Sequence, residues 1–206
     1  MEIMNQLENL KKIAKTKLAK NDPAHDFEHV MRVYRNAEKI CKTESGNKKL
    51  ILSAVLLHDI IKTKNRKDSS LKSAKLSEKI LKENNFHDDE IKIISNAIKQ
   101  HSFSKGKIPS TIEGKILQDS DRLDAIGAIG LARVFSFSGS NNRPFYDPND
   151  PFSKNRVLND NRWALDHFYE KLLTLEKKMN TKTGKNLAKK RTKILKNFLK
   201  EIKNEI

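Results

Sequence analysis

The sequence predicts an all-α protein, and three observations carry that reading. Apolar residues recur at three- and four-residue spacing along most of the 206 residues, the period of a helix with one buried face. No stretch alternates apolar and polar residues as a half-buried strand does. The clusters of Asn, Asp, Gly, Ser and Pro fall between the periodic segments, where turns belong.

A first amphipathic helix is expected over about 2–20. Asn21-Asp22-Pro23 then reads as a stop and restart, with Asp22 as N-cap and Pro23 at the first helical position. The second helix, about 23–44, opens with HDFEH (25–29) and ends at Ser45-Gly46-Asn47. The third, about 47–62, contains LILSAVLLHDII, which is apolar almost all round and so must be buried. Further helices are expected at about 68–84, 87–101 and 110–137. Residues 138–155, SGSNNRPFYDPNDPFSKN, hold three of the five prolines and read as a loop. Two last helices are expected at about 158–182 and 184–204.

Length and patterning suit a single domain over residues 1–206. The core would span about 21–135, with the C-terminal helices at about 158–204 packed on it. The single cysteine, Cys41, permits no internal disulfide and sits in a helical apolar pattern as an inert, partly buried thiol. The charged N-terminus lacks the apolar core of a secretory signal. No window approaches the roughly 20 apolar residues of a membrane span. The expectation is a cytoplasmic protein with no membrane partner.

The formal net charge of +16 favours anionic partners. The lysines are spread along the whole chain and are densest in LLTLEKKMNTKTGKNLAKKRTKILKNFLKEI. There they occupy the solvent side of a helical pattern, without interleaved aromatic residues to stack on bases. Contact with nucleic acid is therefore expected to be weak and nonspecific.

Polar residues on apolar helices carry the chemistry. His58 and Asp59 end the buried helix in LLHDI, and a buried polar pair is costly unless it is bonded or binds metal. ILQDSDRLDAIGAIG (116–130) places Asp119, Asp121 and Asp124 on another mostly apolar helix. With His29, these residues offer two imidazoles and two carboxylates. That mixed set suits a divalent metal: zinc, manganese, iron, nickel or magnesium.

HDFEHVMRV, LLHDI and ILQDSDRLDAIGAIG, in that order, resemble the HD superfamily of metal-dependent phosphohydrolases, over about residues 21–135. The resemblance implies a helical bundle with the metal at its centre and His29, His58, Asp59 and Asp121 as its ligands. It implies hydrolysis of phosphate esters or anhydrides, with nucleotides or other small phosphorylated molecules as substrates. HDFEH alone also fits H-x-x-E-H, a zinc-peptidase signature in which both His25 and His29 are ligands and Glu28 is the base. That alternative leaves LLHDI and DSDRLDA unexplained.

Within the HD reading, Asp59 bridges metal and nucleophile. Lys62 stands where some family branches have an acid that assists the water, and it offers instead a cation for developing phosphoryl charge. His25, one turn before His29, either contacts substrate or caps the helix start. His101, ending a helix in KQHSFSKG, is assigned to substrate contact. Arg32, one turn after His29, either pairs with the acids or binds phosphate, and Arg122 is assigned to structure. The loop 138–155 is expected to wall the substrate pocket, with Arg143 as phosphate ligand. Its root would lie about four turns past Asp121, on the order of 25 Å along a continuous helix. Two other functions stay open: a non-catalytic nucleotide-binding or regulatory HD module, and a nucleic-acid-binding protein or nuclease.

Overall fold

In the computed structural model, residues 2–19, 26–61, 63, 66–102 and 106–206 are described; they form α-helices and short 3-10 turns with no strand among them. The chain divides into two compact units, Met1–Asp121 and Arg122–Ile206.

In the first unit, α1 (Glu2–Leu18) buries Gln6, Leu10, Ala14 and Leu18 at four-residue spacing. The Gln6 amide donates to the carbonyls of Asn84 (2.9 Å) and Asn85 (3.2 Å). These lie just past α4 (Arg66–Glu83), where helical carbonyls lack intrahelical partners. Helix α2 (Phe27–Ile40) is capped by Asp26, whose side chain accepts from the His29 amide at 2.8 Å. That start is later than the expected 23; Asp22 and Pro23 lie outside the described residues.

Helix α3 (Lys48–Leu57), capped by Asn47, buries every residue from Leu50 to Leu57. It packs against α1, α2, α4 and α5 (Asp88–Gln100), which explains why its sequence has no polar face. The helix stops at Leu57 rather than near 62, so His58 is its C-cap and Asp59 follows it. Likewise α5 stops at Gln100 with His101 as C-cap.

The helix expected over 110–137 is two helices, α6 (Ile112–Asp124) and α7 (Gly127–Ser140). The break has a backbone cause. Ala125 and Ile126 turn back on Arg122 and Leu123 by three-residue hydrogen bonds. Gly127 then takes φ +81°, a left-handed conformation that glycine reaches without steric cost. Gly130 permits the close return: a Cβ there would lie 2.2 Å from the Ala125 carbonyl oxygen. Distance along one continuous helix therefore does not measure how far the 138–155 loop lies from Asp121.

In the second unit, residues 138–140 complete α7 and the irregular run continues to Trp163. Arg156 makes a paired contact with the buried Asp166 carboxylate at 2.6 and 2.8 Å, and two main-chain bonds join Pro144 and Phe145 to Ala164 and Leu165. Only α8 (Ala164–Glu170) and two 3-10 turns, Leu172–Thr174 and Glu176–Lys178, occupy the helix expected over 158–182. Asn159 competes locally with helix formation, accepting from the Arg162 amide through its side chain and from Trp163 through its carbonyl. Helix α9 (Lys182–Glu205) is capped by Thr181, close to expectation. Phe135, Phe168 and Phe198 form the aromatic core of this unit.

Candidate metal centre

Five side chains from four places in the first unit converge. His29 stands on the first turn of α2, oriented by the Asp26 cap. His58 and Asp59 follow α3, His101 follows α5, and Asp121 sits on α6. The three histidines are buried. Asp59 and Asp121 keep about a quarter of their side chains exposed, at 25% and 28%. Imidazoles thus form the floor and carboxylates the accessible side.

Two of the imidazoles are fixed by the same device. His58 Nδ1 lies 2.7 Å from the Val55 carbonyl oxygen, and His101 Nδ1 lies 2.6 Å from that of Ile98. A carbonyl only accepts, so each Nδ1 carries the hydrogen, and in a neutral ring Nε2 is then the nitrogen that offers a lone pair. That tautomer is the one a metal ligand needs.

His29 Nε2 lies 3.6 Å from Asp121 Oδ1 and 3.9 Å from Asp59 Oδ2. His58 Nε2 is 3.6 Å from Asp59 Oδ2, and His101 Nε2 is 3.8 Å from Asp59 Oδ1. These separations exceed a hydrogen bond and suit donors that share a cation. Ligand atoms of His29, His58 and Asp121 lie within 4.8 Å of one another, and so do those of His58, Asp59 and His101. His58 Nε2 is buried with no hydrogen-bond partner among the described residues, a costly arrangement that a cation would relieve. The donor set, three imidazoles and two carboxylates, fits a divalent metal.

The electrostatics agree. Burial pushes the Asp121 carboxyl up, but His29, His58 and His101 outweigh it and leave the group below the ordinary aspartate value. Burial, reinforced by His58, holds the His101 imidazole below its ordinary value despite Asp59 and Asp121.

Of the three acids read on α6, only Asp121 joins the histidines. Asp119 is fully buried elsewhere, and Asp124 pairs with Arg133 at 2.7 Å. Arg122 donates to the Lys178 carbonyl. Arg32 is half-buried one turn beyond His29. His25 and Lys62 lie outside the described residues. Arg143 bonds Ser138 Oγ through Nε (3.0 Å) and Nη2 (2.8 Å), and the Asp160 carbonyl through Nη1. His167 Nδ1 lies 2.8 Å from Asp160 Oδ2.

Sequence reasoning missed Gln118. Its buried amide donates to the carbonyls of His101 (3.2 Å), Lys107 (3.0 Å) and Gln100 (3.4 Å). It ties the segment carrying His101 to the helix carrying Asp121. The available signal was a glutamine among apolar residues, nearly one turn before Asp121 in ILQDSD. Asn36, whose amide donates to the Ser120 carbonyl at 3.1 Å, likewise joins α2 to α6.

A buried histidine-aspartate cluster that could hold a metal ion, assembled from successive helices, marks an all-α protein of the His-Asp type. The chain belongs to the HD domain family: the family profile matches residues 26–126, and the uncharacterized protein YpgQ of Bacillus subtilis (strain 168) is 32% identical over 211 residues, spanning 100% of this chain and 96% of YpgQ. The crystal structure of Bacillus subtilis YpgQ in complex with ADP superposes with a TM-score of 0.80 at 29% identity, covering 100% of this chain and 97% of that one. An HD-superfamily hydrolase from Bacillus thuringiensis gives a TM-score of 0.78 at 32% identity, covering 98% and 97%. No helix among the described residues is long and apolar enough to cross a membrane.

Proposed function

We propose that the chain is a metal-dependent phosphohydrolase acting on nucleotides or other small phosphorylated molecules. The observation that carries this is the convergence of His29, His58, Asp59, His101 and Asp121, whose ring nitrogens and carboxylate oxygens face one another at 3.6–3.9 Å. The ADP complex of YpgQ supports the substrate class.

His29, His58, Asp59 and Asp121 would hold the cation. A divalent metal bound there supplies Lewis-acid polarisation of a phosphoryl oxygen and lowers the pKa of water. The chain's own groups do the rest. Without a cation the two carboxylates repel a phosphate, so catalysis requires metal. Asp59 directs Oδ2 toward His29 and His58 and Oδ1 toward His101, so its two oxygens serve different neighbours. Partly exposed and with one oxygen on each side of the cluster, it accepts the proton of the attacking water.

His101 takes a ligand position rather than the substrate contact its place in the sequence suggested. Its Nδ1 hydrogen is committed to Ile98 and its neutral Nε2 has no hydrogen to give a phosphate. Arg32 contacts phosphate from α2, and Lys62 and His25 keep the substrate-side parts their sequence positions give them. The bonds of Arg143 to Ser138 and Asp160 support fastening of the loop start.

The test is to strip the protein of metal and add manganese, magnesium, zinc, iron or nickel singly. Phosphate and pyrophosphate release are then measured across a panel of nucleotides and sugar phosphates. At least one metal should restore release from a nucleotide. Tight nucleotide binding without release under every metal would instead establish a binding module.

A further inference from the structure

Helix α9 carries a feature the metal centre does not use. Lys182, Lys185, Lys189, Lys193, Lys196 and Lys200 follow one another at spacings of three and four, and all are exposed. At ~100° per residue they fall within an arc of about 80°, and at ~1.5 Å per residue the row is about 27 Å long. The acids of the helix, Glu201 and Glu205, stand off this arc. None of the six lysines has an ion-pair partner among the described residues. Like charges at i, i+4, as in Lys185–Lys189–Lys193, destabilise a helix that has no counter-charge. The adjoining face, about 100° round the helix with Ala188, Leu195 and Leu199, is buried in its own unit.

We propose that this lysine row docks the phosphate backbone of a nucleic acid, without reading its sequence. A line of evenly spaced point charges complements a line of phosphates, and binding would supply the missing counter-charge. No aromatic residue lies on the row to stack on bases. The buried apolar face denies α9 the insertion by which amphipathic helices hold membranes. The proposal is independent of the metal centre.

The test compares Lys189→Gln, Lys193→Gln and Lys196→Gln combined with a charge-matched control combining Lys42→Gln, Lys107→Gln and Lys154→Gln, three exposed lysines elsewhere. Anisotropy of a labelled random-sequence DNA duplex is titrated with the whole protein at several salt concentrations. Wild type should bind at low salt, with affinity falling linearly in log–log form. The α9 variant should lose about 2.7 from the magnitude of that slope, at about 0.9 per phosphate contact, while the control keeps most of it. A Lys→Arg version of the three α9 sites should retain the slope, and circular dichroism should show all variants folded. The proposal is overturned by absent wild-type binding at low salt, or by equal losses in both glutamine variants. It is also overturned if the α9 variant loses binding to equimolar phosphatidylcholine–phosphatidylserine vesicles but not to DNA.

Discussion

His58 and His101 stand edge to face, their ring centroids 5.1 Å apart at 87°, and each is locked by an Nδ1 bond to the carbonyl three residues back. The shared geometry makes them equivalent nitrogen donors on either side of Asp59. His101→Ala and His58→Ala should therefore both lower bound metal in the purified protein, measured by elemental analysis. If His101→Ala retained full metal and changed only the Michaelis constant, His101 would belong to the substrate instead.

Gln118 has no contact with a phosphate in this scheme, yet its amide holds the carbonyls of Gln100, His101 and Lys107. Gln118→Met keeps the volume and removes the donors. Residues that orient ligands typically govern metal affinity by about 10–100-fold, and that is the expected loss in a competition titration with a chelator. Unchanged affinity would show that the His101 segment holds its place without the clamp.

In the second unit, Asp166 is fully buried and carries both nitrogens of the Arg156 fork. It also accepts from the Asn159 amide at 2.7 Å. Asp166→Ala removes the fork's carboxylate and the Asn159 acceptor, while Arg156 keeps Asp147 at 3.4 Å and the Asp150 carbonyl at 3.1 Å, and should cost about 1–3 kcal/mol in urea unfolding. Metal content should stay unchanged, since every ligand belongs to the other unit. A loss under about 1 kcal/mol would mean the loop is held by other bonds.

Burial holds both His101 and His167 below the ordinary imidazole value. A depressed folded-state value means that protons bind the unfolded chain more readily. The metal-free protein should therefore hold its full stability above about pH 6.5, the unfolded value, and lose it as pH falls toward the lower folded-state values. Urea midpoints measured across that range should decline, and His167→Gln should flatten part of the decline. A midpoint independent of pH would show that neither ring is neutral by virtue of the fold.

The Cys41 thiol, half-buried on the turn after α2, is pushed up to about 11, chiefly by burial. Only the thiolate reacts, so alkylation by iodoacetamide near pH 8 should be much slower than that of a free cysteine. Rapid labelling of the folded protein would contradict this.

The sequence by itself determined the fold class, the family and four of the converging residues. Helical periodicity is a local property, and LLHDI announces itself because a histidine-aspartate pair at the end of an all-apolar helix needs a physical reason. Tertiary structure decided the rest, because these choices depend on distances across helices. Residue type alone does not separate Asp121 from Asp119 and Asp124; the family resemblance picks it out, and the packing of α6 against α2 supplies the physical reason by turning it toward His29. His101 carries no metal motif in the sequence, and only the fold brings its Nε2 to 3.8 Å from Asp59 Oδ1, with its Nδ1 bonded to Ile98. Gln118 belongs to no motif, since three carbonyls from another segment are invisible along the chain. The break between α6 and α7 hid in an unbroken helical pattern, because periodicity records which residues are apolar and not that Gly127 turns to positive φ.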